Sequence, residues 1–483
     1  MHAIFKKFGL IFSGILIGLL ISLNLTALAE KLGVSDLPVD DLRVFAEVFG
    51  KVKSDYVEAI EDKKLIDEAL RGMLQGLDPH SAYMDKDAYK DMQAGTQGEF
   101  GGLGIEVAME DGLVKVVTPI EDSPAYKVGL KSGDLVMKLD DKPVRGMTLN
   151  DAVKIMRGVA GTKIDLTILR KNTDKPLTFT ITRDVIKTQS VKNKYLEQDY
   201  GYVRITQFQD HTGEDLAKAL ISLEKQNKKP LKGLVLDLRN NPGGLLDAAV
   251  GVSAAFLPKD KLVVYTEGRI EDSKMNLRAN ERDYASRGKS DYLKAVPNSY
   301  KKTPMVVLLN AGSASASEIV AGALQDHKRA TILGVTSFGK GSVQTILPIN
   351  NGSAIKLTTA RYFTPNGRSI QAKGIDPDIQ VGDGSDDSFR IHEADLAGHL
   401  SNPKDAKLQD GGNEKPASVI SNEKEEALKK AKEEKFAEPK GPIEPASADD
   451  FQFVQAMNVL KGLPVEKMPK EKVKSDTEKS DKK

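Results

Sequence analysis

Three short stretches of this chain carry residues whose types and spacing could do chemistry. The first is "NAGSASASEIVAG", Asn310–Gly322, which follows the apolar run "PMVVLL" and holds serines at 313, 315 and 317. A buried strand that runs through small residues into a helix start exposes a serine at the strand's carboxyl end. The N–H that follows Ser315, on Ala316, has no helical partner and can donate to a developing oxyanion. That pattern suits acyl transfer. It is also, and more commonly, the pattern of a small-residue packing joint, so its meaning turns on whether an activating base exists. None of the six histidines falls inside the stretch.

The second stretch, "GVTSFGKGSVQT" (Gly334–Thr345), offers such a base. Lys340 stands between two glycines. In an apolar pocket its ammonium form is disfavoured, so it can take a proton from a serine, and Ser–Lys pairs are a known variant of nucleophile–base logic. The same residues match the phosphate-loop pattern G-x-x-x-x-G-K only as far as Lys340. The Ser or Thr that would hold magnesium is Gly341, and "SVQTILPI" favours a strand where a helix is required. The third stretch, "LVLDLRNNPGGLL" (Leu234–Leu246), ends a strand in Pro242-Gly243-Gly244. Paired glycines leave backbone N–H groups open to a ligand; the plain alternative is a strand-to-helix loop. A fourth feature, His80 in the turn "LDPHSAYMD", is tempting as a base, but a lone histidine without metal companions more often braces a loop.

The elements that must position these residues follow from length and pattern. A chain of 483 residues implies two or three domains. Its 40% hydrophobic and 29% charged residues suggest a globular body with polar tails. The net charge of +1 gives no global reason to expect nucleic acid or anionic lipid. The absence of cysteine excludes disulfides, thiolate metal sites and Cys nucleophiles. Residues 1–29 read as an export signal: Lys6 and Lys7, the apolar run Phe8–Leu25, and the small-x-small site Ala27-Leu28-Ala29. Whether cleaved or retained as an anchor, it places the bulk of the chain beyond the cytoplasmic membrane, in a periplasmic or extracytoplasmic space without ATP, and any membrane contact is confined to it.

The expected fold is α/β and multidomain. Helices are expected over 36–60 and 63–77, with Leu42, Phe45, Phe49 and Val52 on one face of the first. The region 36–97 is read as amino-terminal helices leading into the start of the main body. Residues 98–183 read as a small α+β module, with Asp111-Gly112 as a hairpin signal. Residues 184–382 alternate strands ("GYVRIT", "GLVLDLR", "LVVYT", "MVVLLN") with helices at 213–227, 244–256 and 315–325, which argues for a parallel-sheet core; 268–300 reads as a long surface insertion. Residues 383–449 are charged and of low complexity, 450–463 ("DFQFVQAMNVLKGL") form an apolar helix that docks on something, and 464–483 are expected to be disordered.

Taken together and in order, "LDPHS", the small module, "LRNNPGG", "GSASASEI" and "GKGSVQT" resemble the carboxyl-terminal processing (tail-specific) serine proteases with a PDZ domain. The resemblance covers most of 36–382 and the 450–463 island. It implies Ser315 as nucleophile, Lys340 as general base and Gln344 as the residue orienting the lysine. It implies an oxyanion hole made by the N–H groups of Ala316 and a glycine of "NNPGG", taken here as Gly243 over Gly244. Asp326, eleven residues past the serine, is read as structural, and Ser313 and Ser317 as packing. "GGLGIEV" is similar to a PDZ carboxylate-binding loop, with Gly102, Leu103, Gly104 and Ile105 holding a substrate's terminal carboxylate. The implied activity is endopeptidase cleavage of polypeptides with apolar carboxyl-terminal tails, through an acyl-enzyme, with no metal or other cofactor. The helices and the 450–463 island are expected as self-association surfaces of a homo-oligomer, and the resemblance leaves room for an adaptor protein. The competing reading is a non-catalytic peptide-binding scaffold; a silent body would be expected to have lost Ser315, Lys340 or Gln344.

Overall fold

The computed structural model describes residues 38–120, 122–171, 173, 175–285, 291–382, 390–403 and 443–468. The expected export segment over 1–29 lies outside them, as do most of 383–449 and residues 469–483. The chain divides into two compact units with the boundary between Gly72 and Met73.

The first unit holds α1 (Val39–Asp55) and most of α2 (Asp62–Gln75). The apolar positions recur at helical spacing, yet α1 buries none of its residues: Leu42 is 48% and Phe45 50% exposed. Among the described residues no helix is long and apolar enough to cross a membrane.

In the second unit the "LDPHS" turn leads into β1 (Ala82–Met84) and α3 (Lys86–Gln97). Asp85 caps α3 by accepting from the N–H groups of Asp87 and Ala88, and Gly98 ends it in the left-handed region. The small module follows: β2 (Glu99–Gly102), β3 (Ile105–Glu110), β4 (Leu113–Pro119), β5 (Leu135–Leu139), α4 (Leu149–Met156), β6 (Lys163–Leu169) and β7 (Leu177–Thr182), then β8 (Asp184–Lys187). Strands β3 to β7 form an antiparallel sheet in chain order, with β3 at one edge. Alternate residues Val114, Val116, Ile164, Leu166 and Ile168 fill its core. Asp111 and Gly112 take φ values of 51° and 75°, the twist that a two-residue hairpin requires. β2 and β8 pair as a separate ribbon at the module's two ends.

The larger body runs through β9 (Val191–Leu196), β10 (Tyr200–Ile205), α5 (Thr212–Asn227), β11 (Gly233–Asp237), α6 (Leu246–Phe256), β12 (Leu262–Gly268), β13 (Met305–Leu309) and α7 (Ala316–Asp326). It continues through β14 (Thr331–Gly334), β15 (Ser342–Pro348), β16 (Ala354–Phe363), β17 (Ile379–Gln380) and α8 (Phe451–Lys461). The central sheet has the order β9-β10-β11-β13-β14-β17, parallel except for β9. β11 and β13 are buried along their whole length, which is why "LVL" and "MVVLL" read as unbroken apolar runs. α5, α6 and α7 share one core with the sheet, and Phe453, Ala456 and Met457 of α8 pack with Tyr202, Val235, Val306 and Leu308 in another.

Three expectations are corrected here. "LVVYT" joins a second sheet, where β12 pairs antiparallel with β16, and β16 also takes β15 and β1. A short apolar run does not reveal which sheet receives it. The 268–300 segment is anchored by core residues, since Tyr284 and Tyr300 are buried in the main cluster. The 450–463 island docks on its own chain's sheet, so its apolar face is not available for self-association.

A buried charge network fixes α8. Arg239 donates to Asp450 at 2.8 and 2.7 Å and to Asp237 at 3.0 and 2.7 Å. Asp450 also caps α8, accepting from the Phe453 N–H. Burial works against the Asp450 carboxylate, but the bonds from Arg239 outweigh it and hold its pKa below the ordinary value. Removing one partner of such a pair leaves a buried charge short of its counterion, so Asp450→Ala should destabilise the chain by about 3–5 kcal/mol. A urea midpoint that does not fall relative to the parent would contradict this.

Candidate active site

The site is built where β13 and β11 end side by side. After β13 the chain makes a small-residue turn and begins α7. Ser313 is buried and donates its hydroxyl to the Leu238 carbonyl at 2.9 Å; Ser317 donates to the Asn241 carbonyl at 2.9 Å. Both serines therefore stitch this turn to the "LRNNPGG" loop, as the packing reading expects. Ser315, between them, is half-buried and faces a cleft. Its φ of 54° and ψ of −112° are rarely adopted by a residue with a side chain, and such strain concentrates at functional positions.

Glu318 holds that conformation. Its fully buried carboxylate accepts from the Ser315 N–H at 2.7 Å and the Lys340 N–H at 3.0 Å, both at Oε2. Oε1 accepts from the Ser337 hydroxyl at 2.6 Å and the Gly339 N–H at 2.7 Å. One side chain thus joins the "GSASASEI" and "GKG" loops. Burial pushes its pKa up to about 7, against the pull of those four hydrogen bonds.

Lys340 lines the same cleft as Ser315, together with Ala316, Gly243, Gly244, Gln344, Lys356 and Tyr362. The cleft encloses ≈ 840 Å³. The Lys340 carbonyl accepts from the buried Tyr362 hydroxyl. Burial, then the charge of Lys356, pull the amine down to about 8; Glu393, Glu318 and Asp78 pull the other way and do not win. Gln344 sits on β15 and donates its amide to Ser342 at 3.0 Å and Thr358 at 3.2 Å.

The glycine expectation needs correction. The Gly243 N–H donates to Asn241 Oδ1 at 2.9 Å, so it is already engaged. Gly243 instead provides closeness: with φ at 101°, a Cβ there would lie 2.8 Å from the Ser315 Cβ. The neighbouring Gly244 is exposed to the cleft, and among the described residues neither its N–H nor that of Ala316 makes a recorded hydrogen bond.

Other expected residues lie apart from this cleft. Asp326, at the far end of α7, bonds Arg368 and the Asn366 N–H. His80 braces a loop: its Nε2 lies 2.8 Å from Glu393. In the small module Leu103 is buried, and Gly104 takes φ of 76° because a Cβ would lie 2.2 Å from that of Ser123. The carbonyls of Leu103 and Gly104 accept from Ala125 and Ile120, while their own N–H groups, among the described residues, have no recorded acceptor. Gly102 and Ile105 are strand residues, paired with Asp184 and Pro119.

Family models match in three consecutive blocks: the Activating protease CtpB N-terminal domain over residues 24–88, a PDZ domain over 101–181 and Peptidase family S41 over 199–381. A carboxy-terminal-processing protease of Bartonella bacilliformis is 46% identical over 82% of this chain and 89% of its own length. The chain belongs to the carboxy-terminal processing proteases. CtpA of Bacillus subtilis, a further member, is 37% identical over 69% of this chain and 68% of its own. The solved structure of a photosystem II D1 C-terminal processing protease is 30% identical, with a TM-score of 0.40 over 68% of this chain and 84% of that one. As a member of this family the chain is a serine-type peptidase with a PDZ domain, acting on polypeptides.

Within this family site, sequence reasoning missed Glu318. The signal was present: Ser315-x-x-Glu318 at a helix start is a capping-box pattern. What that pattern does not contain is the second loop. Glu318→Gln introduces an NH₂ among four donors and should lower kcat about 100-fold by displacing Ser315 relative to Lys340, the scale of an ångström's misplacement. Steady-state kinetics on a folded variant with parental activity would refute it.

Proposed function

We propose that this chain is an exported endopeptidase that grips carboxyl-terminal tails with its PDZ domain and cuts with a Ser315–Lys340 dyad. The observation that carries the reading is that both residues line one cleft, their N–H groups meet at a single Glu318 oxygen, and burial draws the lysine's pKa to about 8.

In this reading neutral Lys340 takes the Ser315 hydroxyl proton as Oγ attacks the scissile carbonyl. The N–H groups of Ala316 and Gly244 receive the oxyanion. Collapse breaks the C–N bond, and the lysine ammonium hands its proton to the leaving amine. Water then attacks the ester and gives a proton to Lys340; collapse breaks the ester C–O bond, Lys340 returns that proton to Ser315 Oγ, and the carboxylic acid product leaves. Gln344 orients the lysine. The chemistry calls for no metal or cofactor.

The free N–H groups of Leu103 and Gly104 suit a substrate's terminal carboxylate, and the edge position of β3 suits strand addition by its apolar tail. Export rests on the sequence pattern of residues 1–29. The uncovered apolar face of α1 supports self-association; the sequence carries no sign of which adaptor, if any, takes part.

A labelled peptide with an apolar tail should be cleaved by the parent and persist with Ser315→Ala and Lys340→Ala. Because the base works only when neutral, kcat/KM should rise with pH through about 8, and Lys356→Gln should move that limb to higher pH by removing a charge that disfavours the ammonium. Turnover by Lys340→Ala would overturn the dyad. Separately, deleting residues 36–60 should lower the mass observed by sedimentation; an unchanged mass would remove α1 as the association surface.

A further inference from the structure

The "LDPHS" turn plays no part in the mechanism above, yet its aspartate reaches the catalytic cleft through one hydroxyl. Asp78 is buried, and its carboxylate accepts from the N–H groups of His80 and Ser81, at 2.8 and 2.9 Å, and from the Ser81 hydroxyl at 2.7 Å. It also accepts from the Thr358 hydroxyl at 3.0 Å. Thr358 lies on β16 directly across from Gln344 on β15, because a register shift between Val343 and Gln344 brings the two opposite each other. Irregularities of this kind re-aim side chains near active sites.

Donor and acceptor inventory then dictates polarity. An ionised carboxylate only accepts, so the single Thr358 hydroxyl hydrogen points to Asp78. The Thr358 oxygen can therefore only accept from Gln344, and it does so at 3.2 Å. Ser342 takes a second amide N–H at 3.0 Å. With the amide nitrogen engaged, the remaining end of the side chain is the carbonyl oxygen, an acceptor. Reversed, the amide would offer hydrogens, which compete for a neutral amine's lone pair. With its carbonyl toward the lysine, it could only accept an N–H of the amine and would leave the lone pair for Ser315.

We propose that Asp78 and Thr358 are positioning residues that lock Gln344 with its carbonyl toward the base, so that the "LDPHS" turn sets the orientation of the lysine amine from across the cleft wall. This rests on Lys340 being the base.

The test compares Thr358→Val, which keeps shape and loses the hydroxyl, with Thr358→Ser, which restores it, using the full chain. Thr358→Val should lower kcat about 10- to 100-fold, the scale of misorienting a reacting group, with KM little changed. It alters no charge, so the pH limb near 8, set by burial with Lys356, Glu393, Glu318 and Asp78 as the surrounding charges, should stay in place. Thr358→Ser should recover most of the rate. Should Thr358→Val not fold, Thr358→Ala removes the same oxygen. A kcat within twofold of the parent would overturn the proposal. So would equal loss in the serine variant, or a displaced pH limb with an unchanged plateau. An inactive Lys340→Ala beside a fully active Thr358→Val would sink this inference alone; an active Lys340→Ala would sink the dyad itself.

Discussion

The site depends on one carboxylate that has left water. Glu318 is fully buried, and the cost of placing a charge there is met by four donors from two loops, which a Phe338 N–H to Ser313 carbonyl bond also ties together. Without those donors the carboxyl would be a buried polar group without partners; without the carboxyl, the N–H groups of Ser315, Gly339 and Lys340 would lose their acceptor. Each side needs the other, so the strained φ of Ser315 and the path of the glycine loop are fixed together. Folding of the two loops and assembly of the site are the same event.

The same burial sets the reactivity of the lysine. Glu318, Glu393 and Asp78 all favour the ammonium, and a reading based on charge alone would leave Lys340 protonated. Desolvation is the larger influence, and Lys356 adds to it, so the amine titrates near 8. Burial also raises Glu318 to about 7. The two groups thus lose their protons over neighbouring ranges.

Local pattern made much of this legible. The alternating strands of the PDZ domain, the Asp111-Gly112 turn and the continuous apolar strands β11 and β13 follow from side-chain periodicity and turn chemistry, which act over a few residues. The small-residue helix start at Ser315 was also visible. What periodicity does not carry is a partner remote in sequence. Glu318 shows its capping of Ser315 three residues away, but not its bonds to the loop around Lys340. Asp78 and Thr358 are 280 positions apart. Arg239 meets Asp450 across 211 positions. The assignment of β12 to the second sheet and the engagement of the Gly243 N–H by the Asn241 side chain likewise rest on tertiary contacts.

Several remote partners meet on the loop Arg239–Asn241. Arg239 is anchored to α8 through Asp450. Asn240 and Asn310 exchange hydrogen bonds, backbone N–H to Oδ1 one way and Nδ2 to Oδ1 the other, each at 2.8 Å. Asn241 donates to the Ile205 carbonyl, accepts from Gly243 at its side chain, and accepts from Ser317 and Ala314 at its own carbonyl. Three consecutive residues are therefore tied to α8, to the nucleophile turn and to β10. Donors aimed at a transient charge help only if they need not reorganise when that charge forms. A loop held from three directions meets that condition.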